Sequence, residues 1–128
     1  MLNDAEAIAT IPVKNAEEAR RFYRDKLGLE TIDDRPGVAT YRSGESRVFV
    51  YESDYAGANE ATAATWVIDD VVGVVRELKT RGVAFEHYPD LPGLKVEGDV
   101  HIADGGDMKI AWFKDPDGNI LSIVSGGN

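Results

Sequence analysis

Two stretches of the chain repeat the same order of elements, and this repetition is the strongest constraint on the fold. In each stretch an apolar run is followed by a helical pattern that ends at a glycine. From Val13 to Gly28 the chain takes 15 residues, and from Ile68 to Gly82 it takes 14. Because further short apolar runs separated by turn residues follow each helix, the sequence predicts two β-α-β-β-β units in one domain.

The first unit is expected at about residues 7–53. Its helix has clear end signals, since Asn15 is a good N-cap, Glu18 has the capping-box spacing and Gly28 suits a left-handed C-terminal position. Strands are expected on both sides of this helix, at residues 7–13, 31–34, 37–42 and 47–52.

The second unit is expected at about residues 64–125, after a linker at about 54–63 that is rich in Ala, Gly, Asn and Glu. Asp69 or Asp70 offers the N-cap of its helix, whose apolar stripe is Val71, Val74, Val75 and Leu78. Residues 89–98 are interpreted as a loop because of their Pro and Gly content. Strands are expected at residues 64–68, 83–88, 100–103, 108–113 and 120–124.

This element order predicts an α+β fold in which two paired units form one curved, mixed sheet with the helices outside. A single unit covers only one face of its sheet with a helix and leaves the other face bare. Pairing two units turns the bare faces into a shared, partly enclosed surface. We therefore expect a cavity for a small molecule there.

Residues 115–119, Asp-Pro-Asp-Gly-Asn, lie between two apolar runs and have the composition of a tight turn. Pro fixes its φ angle, Gly accepts a positive φ, and Asp and Asn bond back to nearby backbone groups. The sequence predicts a hairpin here, which sets the register of the last two strands.

Composition excludes several classes of function. A formal net charge of -9 at pH 7 disfavours nucleic acid and anionic membranes as partners. The absence of cysteine excludes disulfides, thiolate nucleophiles and Cys-ligated metal sites. No signal-like region and no long apolar run are present, so we expect a cytoplasmic protein.

Three segments, residues 13–15, 19–29 and 112–119, together resemble the vicinal oxygen chelate superfamily, which includes glyoxalases, bleomycin-resistance proteins and extradiol dioxygenases. The resemblance extends over nearly the whole chain through the paired β-α-β-β-β units. It implies the fold described above and a homodimer. Its motifs are specific for fold and weak for function, because one is a capped helix and the other a turn.

In metal-dependent members of that superfamily, His, Gln or Glu side chains near the first and last strands of the units hold a divalent ion. Carried over to this chain, the positions are Ile8, Ala63 with Thr65 nearby, and Ser122. None of these side chains holds a divalent cation well. The resemblance therefore implies a member without a cofactor, and the alternative is a divalent metal held at atypical positions.

Two histidines, His87 and His101, are the weak candidates for a catalytic base or, with Glu52, for an atypical metal site. They can equally be structural residues of a strand. Planar apolar ligands stack on aromatic walls, although ordinary core packing explains many strand aromatics. The periodicity leaves open which strand faces line the cavity. The expected ligand-binding residues are Tyr41, Phe49, Tyr51, Trp66, His87, His101, Trp112 and Ser122.

The sequence therefore favours a metal-independent protein that binds a small organic molecule, such as a drug or a metabolite, and is not an enzyme. One alternative is a divalent-metal-dependent lyase or dioxygenase with atypical ligands. A second alternative is a non-catalytic interaction subunit.

Overall fold

The computed structural model describes residues 2–4 and 6–125. The first half opens with a short 3-10 helix, Leu2–Asp4, and continues as strand β1, helix α1 with a π-helical extension, and three strands. Their bounds are β1 Ala9–Val13, α1 Ala16–Arg20, the π-helical segment Arg21–Lys26, β2 Glu30–Arg35, β3 Val38–Ser43 and β4 Ser46–Glu52.

The second half repeats this order with two additional short strands. Its elements are β5 Thr62–Val67, α2 Val71–Thr80, β6 Phe85–Glu86, β7 Leu94–Glu97, β8 Val100–Ala103, β9 Lys109–Lys114 and β10 Ile120–Ser125. Neither α-helix is long and apolar enough to cross a membrane, nor is any other helix in the described part of the chain.

The strands form two mixed sheets, which confirms the α+β prediction. In the first sheet the order is β1-β4-β3-β2, and in the second it is β5-β10-β9-β8-β7 with β6 paired to β9. In both sheets the first strand of the unit pairs in parallel with its last strand, β1 with β4 and β5 with β10. The edge strands β1 and β5 lie next to each other, so the two units are placed side by side.

The prediction of a loop over residues 89–98 is wrong for Leu94–Glu97, which forms β7. Its side chains alternate between half-buried and exposed, which is the pattern of an edge strand. Gly98, with φ of 63°, permits the tight turn into β8. An alternation over only four residues, flanked by Pro92, Gly93 and Gly98, is too short to indicate a strand from the sequence.

The first helix also differs from the prediction of one regular helix up to Gly28. From Arg21 onward it widens, and the Leu27 N–H donates to the Phe22 carbonyl five residues back. The caps follow the prediction: the Asn15 side chain accepts from the Glu18 N–H at 3.1 Å, and Asp70 accepts from the Gly73 N–H at 3.0 Å.

One hydrophobic core is shared by both sheets, and it lies on the face that the helices cover. We call this the helix-facing side; sheet residues on it include Tyr41, Val48, Val50, Ala111, Phe113, Leu121 and Ile123. The π-helical segment connects the units, because Phe22 packs 6.3 Å from Phe113 of β9 and Tyr23 stacks 6.1 Å from Tyr41 of β3, both measured between ring centroids.

The buried carboxylate of Asp115 is the polar centre of this core. One oxygen accepts the backbone N–H groups of Asp117 and Asn119, each at 2.9 Å. The other accepts the Tyr23 hydroxyl and the Asn119 side-chain amide, each at 2.8 Å. The 115–119 turn and the first helix are therefore held by the same group.

The same turn also reaches the end of β1. The Asn119 amide donates to the Pro12 carbonyl at 2.7 Å, and Asp117 accepts the Lys14 N–H at 3.0 Å. Burial, and then the charge of Asp115, raise the pKa of Tyr23 well above its usual value, so its hydroxyl stays a donor.

We predict that Asp115→Asn lowers the free energy of unfolding by about 2–4 kcal/mol, because the amide turns an NH2 group toward donors that then lack an acceptor. Tyr23→Phe, which removes only one of the four hydrogen bonds, should lower it by about 1–2 kcal/mol. Denaturant unfolding measures both.

The exposed Asp54 provides the matched control, and Asp54→Asn should change the free energy of unfolding by less than about 0.5 kcal/mol. Equal losses for Asp115→Asn and Asp54→Asn would contradict the role assigned to Asp115.

Candidate functional site

The predicted ligand-binding residues divide between the two faces of the sheets, since side chains alternate along a strand. Tyr41 lies on the helix-facing side, fully buried and paired with Val48. Its hydroxyl has no hydrogen-bond partner among the described residues. Tyr41 is thus a core residue, on the side of the sheet opposite Phe49 and Tyr51.

Trp66 also points to the helix-facing side, because it pairs with the buried Ile123. Its indole N–H donates to the Ser43 hydroxyl at 2.8 Å, which ties the first sheet to the second. It borders a cleft of about 220 Å³ with aliphatic residues and Phe113. Its environment is that of a residue at the junction of the units.

Five other predicted residues lie on the opposite side, which we call the open face. In the first sheet Phe49 and Tyr51 alternate with the buried Val48 and Val50, and both are half-buried. Val38, paired with Tyr51, is 44% exposed. The open face of this sheet is therefore partly apolar and accessible.

In the second sheet, Ser122 is the central polar residue of the open face. It pairs with Trp112 on β9 and with Thr65 on β5. The hydroxyls of Ser122 and Thr65 lie 2.8 Å apart and share a hydrogen bond. Thr65 is exposed, whereas Ser122 is only 4% exposed beneath it. Since β5 adjoins β1, this hydroxyl pair lies between the aromatic residues of the two sheets, with Phe49 and Tyr51 on one side and Trp112 on the other.

Trp112 packs edge-on against two rings. The centroid of His101 is 4.7 Å away and that of Tyr88 is 5.3 Å away. Tyr88 was not among the expected site residues. Its position directly after His87, on the same predicted strand as that histidine, was the available signal. The three rings form an aromatic cluster at one end of the open face.

His101 is fully buried beneath this cluster. Its Nε2 accepts the Tyr88 N–H at 2.9 Å, so the neutral ring carries its proton on Nδ1. Nδ1 is buried near the backbone of Ile110 but has no partner in hydrogen-bond geometry within the described chain. Burial lowers the pKa of His101, and the Ile110 backbone offsets part of this effect.

His87 lies outside the cluster and is exposed. Its Nε2 is 2.8 Å from one oxygen of Asp99, whose other oxygen is 2.6 Å from the Lys79 ammonium. Lys79, and then His87, lower the pKa of Asp99. This surface network engages Nε2, one of the two ring nitrogens of His87.

The atypical metal set of Glu52, His87 and His101 is not assembled. Both histidines use Nε2 in other hydrogen bonds, and Glu52 is exposed at the end of β4 in the other sheet. Across residues 2–4 and 6–125, no three His, Cys, Asp or Glu side chains are grouped so that they could hold one ion. The positions carried over from the superfamily are Ile8, Ala63 with Thr65 nearby, and Ser122, and they offer two aliphatic side chains and two hydroxyls.

The chain is similar to known proteins over nearly its whole length. The family model described as Glyoxalase/Bleomycin resistance protein/Dioxygenase superfamily matches residues 7–123. A search of curated proteins finds no match.

Solved structures share the fold at low sequence identity. A lactoylglutathione lyase from Agrobacterium tumefaciens is 17% identical with a TM-score of 0.71, covering 96% of this chain and 94% of that one. TnmS3, an antibiotic binding protein from Streptomyces sp. CB03234, is 21% identical with a TM-score of 0.66, covering 96% and 98%. These similarities show the fold alone.

The pKa of His101 predicts how stability depends on pH. A histidine whose pKa is lowered by folding must bind its proton mainly in the unfolded state. Its contribution to stability is therefore complete above the unfolded value of about 6.5 and is lost as the pH falls below it. We predict that the wild type loses up to about 1.4 kcal/mol more per pH unit than His101→Gln between pH 6.5 and 5.

Denaturant unfolding of both proteins across this pH range measures the difference, in which all other titrating groups cancel. Parallel stability profiles would mean that His101 titrates alike in the folded and unfolded states, contrary to its burial.

Proposed function

Because the chain belongs to the glyoxalase/bleomycin resistance protein/dioxygenase superfamily, we propose that it binds a small organic molecule on its open face without a metal ion. The observation that carries this proposal is the pair of hydroxyls, Ser122 and Thr65, at the centre of that face. They lie where metal-dependent relatives are expected to carry ligands. A neutral hydroxyl pair can orient an organic ligand but is a poor donor set for a divalent ion.

Aromatic surfaces on both sides of the hydroxyl pair support an organic ligand. Phe49 and Tyr51 offer ring surface on β4, and Trp112 offers it on β9, with β1, β5 and β10 between them. A planar, largely apolar molecule would stack on these rings while the hydroxyls fix its orientation. The net charge of -9 slightly favours a ligand with a positive charge. TnmS3, the antibiotic binding protein with the same fold, is consistent with such a use.

We also propose that the protein is a homodimer, as the superfamily resemblance implies, and that it is cytoplasmic. Val67 is 63% exposed on the open face, and Val38 is largely exposed there too. Such apolar residues are more often covered by a partner or a ligand than left in water when they form a patch. A second copy would add a wall to the ligand site.

The two tryptophans provide a direct test of the ligand site, because one lies on each face. Compounds that raise the thermal midpoint in a screen of drugs and metabolites should quench or shift Trp112 fluorescence. In Trp66→Phe, where Trp112 is the remaining tryptophan, we predict a saturable change. In Trp112→Phe, we expect little fluorescence change and binding weakened by about 2- to 5-fold, because the phenyl ring still stacks but offers less surface than the indole, and a whole aromatic pair contributes only about 0.5–1.5 kcal/mol beyond its buried area.

Because Trp66→Phe and Trp112→Phe each remove one indole, comparing the two variants controls for any general effect of that loss. A ligand response that follows Trp66 instead of Trp112 would contradict the open-face site. A screen with no hits, under conditions where the protein is folded, would favour the interaction-subunit alternative.

Native mass spectrometry of untagged protein tests both the metal and the dimer. We predict the mass of two chains, with less than about 0.1 Zn²⁺, Ni²⁺ or Mn²⁺ per chain after incubation and desalting, because the site lacks convergent donors. EDTA should leave ligand binding unchanged.

Stoichiometric metal that is lost in His101→Ala would overturn the proposal in favour of the metal-dependent lyase or dioxygenase. A single-chain mass at micromolar concentration would contradict the dimer.

A further inference from the structure

A groove lies on the helix-facing side of the second sheet, opposite the open face. It is a groove of about 600 Å³ between α2 and strands β7 to β9, which we call the α2 groove. Its lining residues are Val72, Val75, Arg76, Lys79, Thr80, Glu97, Asp99, Val100, Ile102 and Lys109. We propose that the α2 groove is a separate binding site for a small organic anion with an aliphatic body, such as an alkyl carboxylate.

The floor of the groove is aliphatic. Val72 and Val75 come from α2, and Val100 and Ile102 come from β8. Val72 is 42% exposed, although most of α2's valines pack inward. No aromatic ring lines the groove, so it favours a flexible aliphatic chain over a stacked planar molecule. The volume is within the range of small-molecule pockets.

The rim of the groove is richer in cations than the chain as a whole. Lys79 is fixed by its ion pair with Asp99, which neutralises both charges at that wall. The ion pairs of the described residues include neither Arg76 nor Lys109, and the one other carboxylate of the lining, Glu97, also has none. The lining therefore holds three cations against two carboxylates, an excess of one positive charge in a chain whose net charge is -9.

Arg76 is the better candidate of the two cations for binding an anion. It lines the groove from α2, whereas Lys109 also borders a neighbouring depression that contains Asp69, Asp70 and Asp107. A guanidinium binds a carboxylate through two parallel hydrogen bonds. We therefore assign the anionic group of the ligand to Arg76 and its aliphatic chain to the valine and isoleucine floor.

Sodium octanoate is a suitable probe, with octylammonium chloride as its counterpart of equal length and opposite charge. Titration of the full chain, followed by NMR of labelled methyl groups, should show octanoate shifting Val72, Val75, Val100 and Ile102. Octylammonium should bind at least about 10-fold more weakly, because it would place a cation beside Arg76. Arg76→Glu should weaken octanoate binding at least about 5-fold, and Glu97→Gln should strengthen it about 2-fold.

Arg47→Glu is the matched control, since Arg47 is an exposed cation on β4 outside the groove and the change in net charge is the same. It should leave octanoate affinity within about 2-fold. Arg76→Gln provides a milder variant if Arg76→Glu unfolds, with the same direction of effect.

The inference would be overturned by equal affinity for octanoate and octylammonium, by no response to either change at Arg76, or by shifts confined to methyl groups of the open face, such as those of Val38 and Val67. Methyl shifts in the groove that depend on protein concentration without octanoate would also overturn it, because they would make the groove a contact between two copies. Failure here leaves the open-face site untouched, since the two sites lie on opposite sides of the second sheet.

Discussion

The buried carboxylate of Asp115 is the interaction on which the paired arrangement depends. Its four hydrogen bonds join the last turn to the first helix, and Asn119 and Asp117 extend them to the end of β1. A buried charge is costly unless each lone pair is satisfied. Because the donors come from both halves of the chain, the carboxylate is satisfied only when the two units are docked. The turn that sets the last hairpin therefore also positions the units.

This docking decides what each face of the sheets can do. The helix-facing side holds the shared core, in which Phe22 packs against Phe113 and Tyr23 against Tyr41. The open face keeps a hydroxyl pair between aromatic residues. Among the positions at which the superfamily resemblance places metal ligands, Ile8 and Ala63 are aliphatic, and the Ser122 hydroxyl is hydrogen-bonded to that of Thr65. The fold is thus retained while the donor chemistry of the centre differs.

Much of the fold could be predicted from the sequence, because its signals are local. The Asn15 and Asp70 caps, the 115–119 turn and the repeated order of elements each depend on a few neighbouring residues. The residues of the site were harder to predict, because a strand pattern alone does not tell which face of the sheet a given side chain occupies. Tyr41 and Trp66 have the same aromatic character as Tyr51 and Trp112, yet pairing with Val48 and Ile123 turns them into the core. Strand β7 was missed because Pro92 and Gly93 dominate the composition of its surroundings.

The central claim is that the open face binds an organic ligand through its aromatic residues and hydroxyls with no metal ion. NMR mapping of a stabilising compound on the labelled protein in the presence of EDTA tests this most directly. We predict saturable chemical-shift changes at Phe49, Tyr51, Trp112 and Ser122. Shifts confined to the helix-facing side, or binding that disappears with EDTA and returns with a divalent metal, would contradict it.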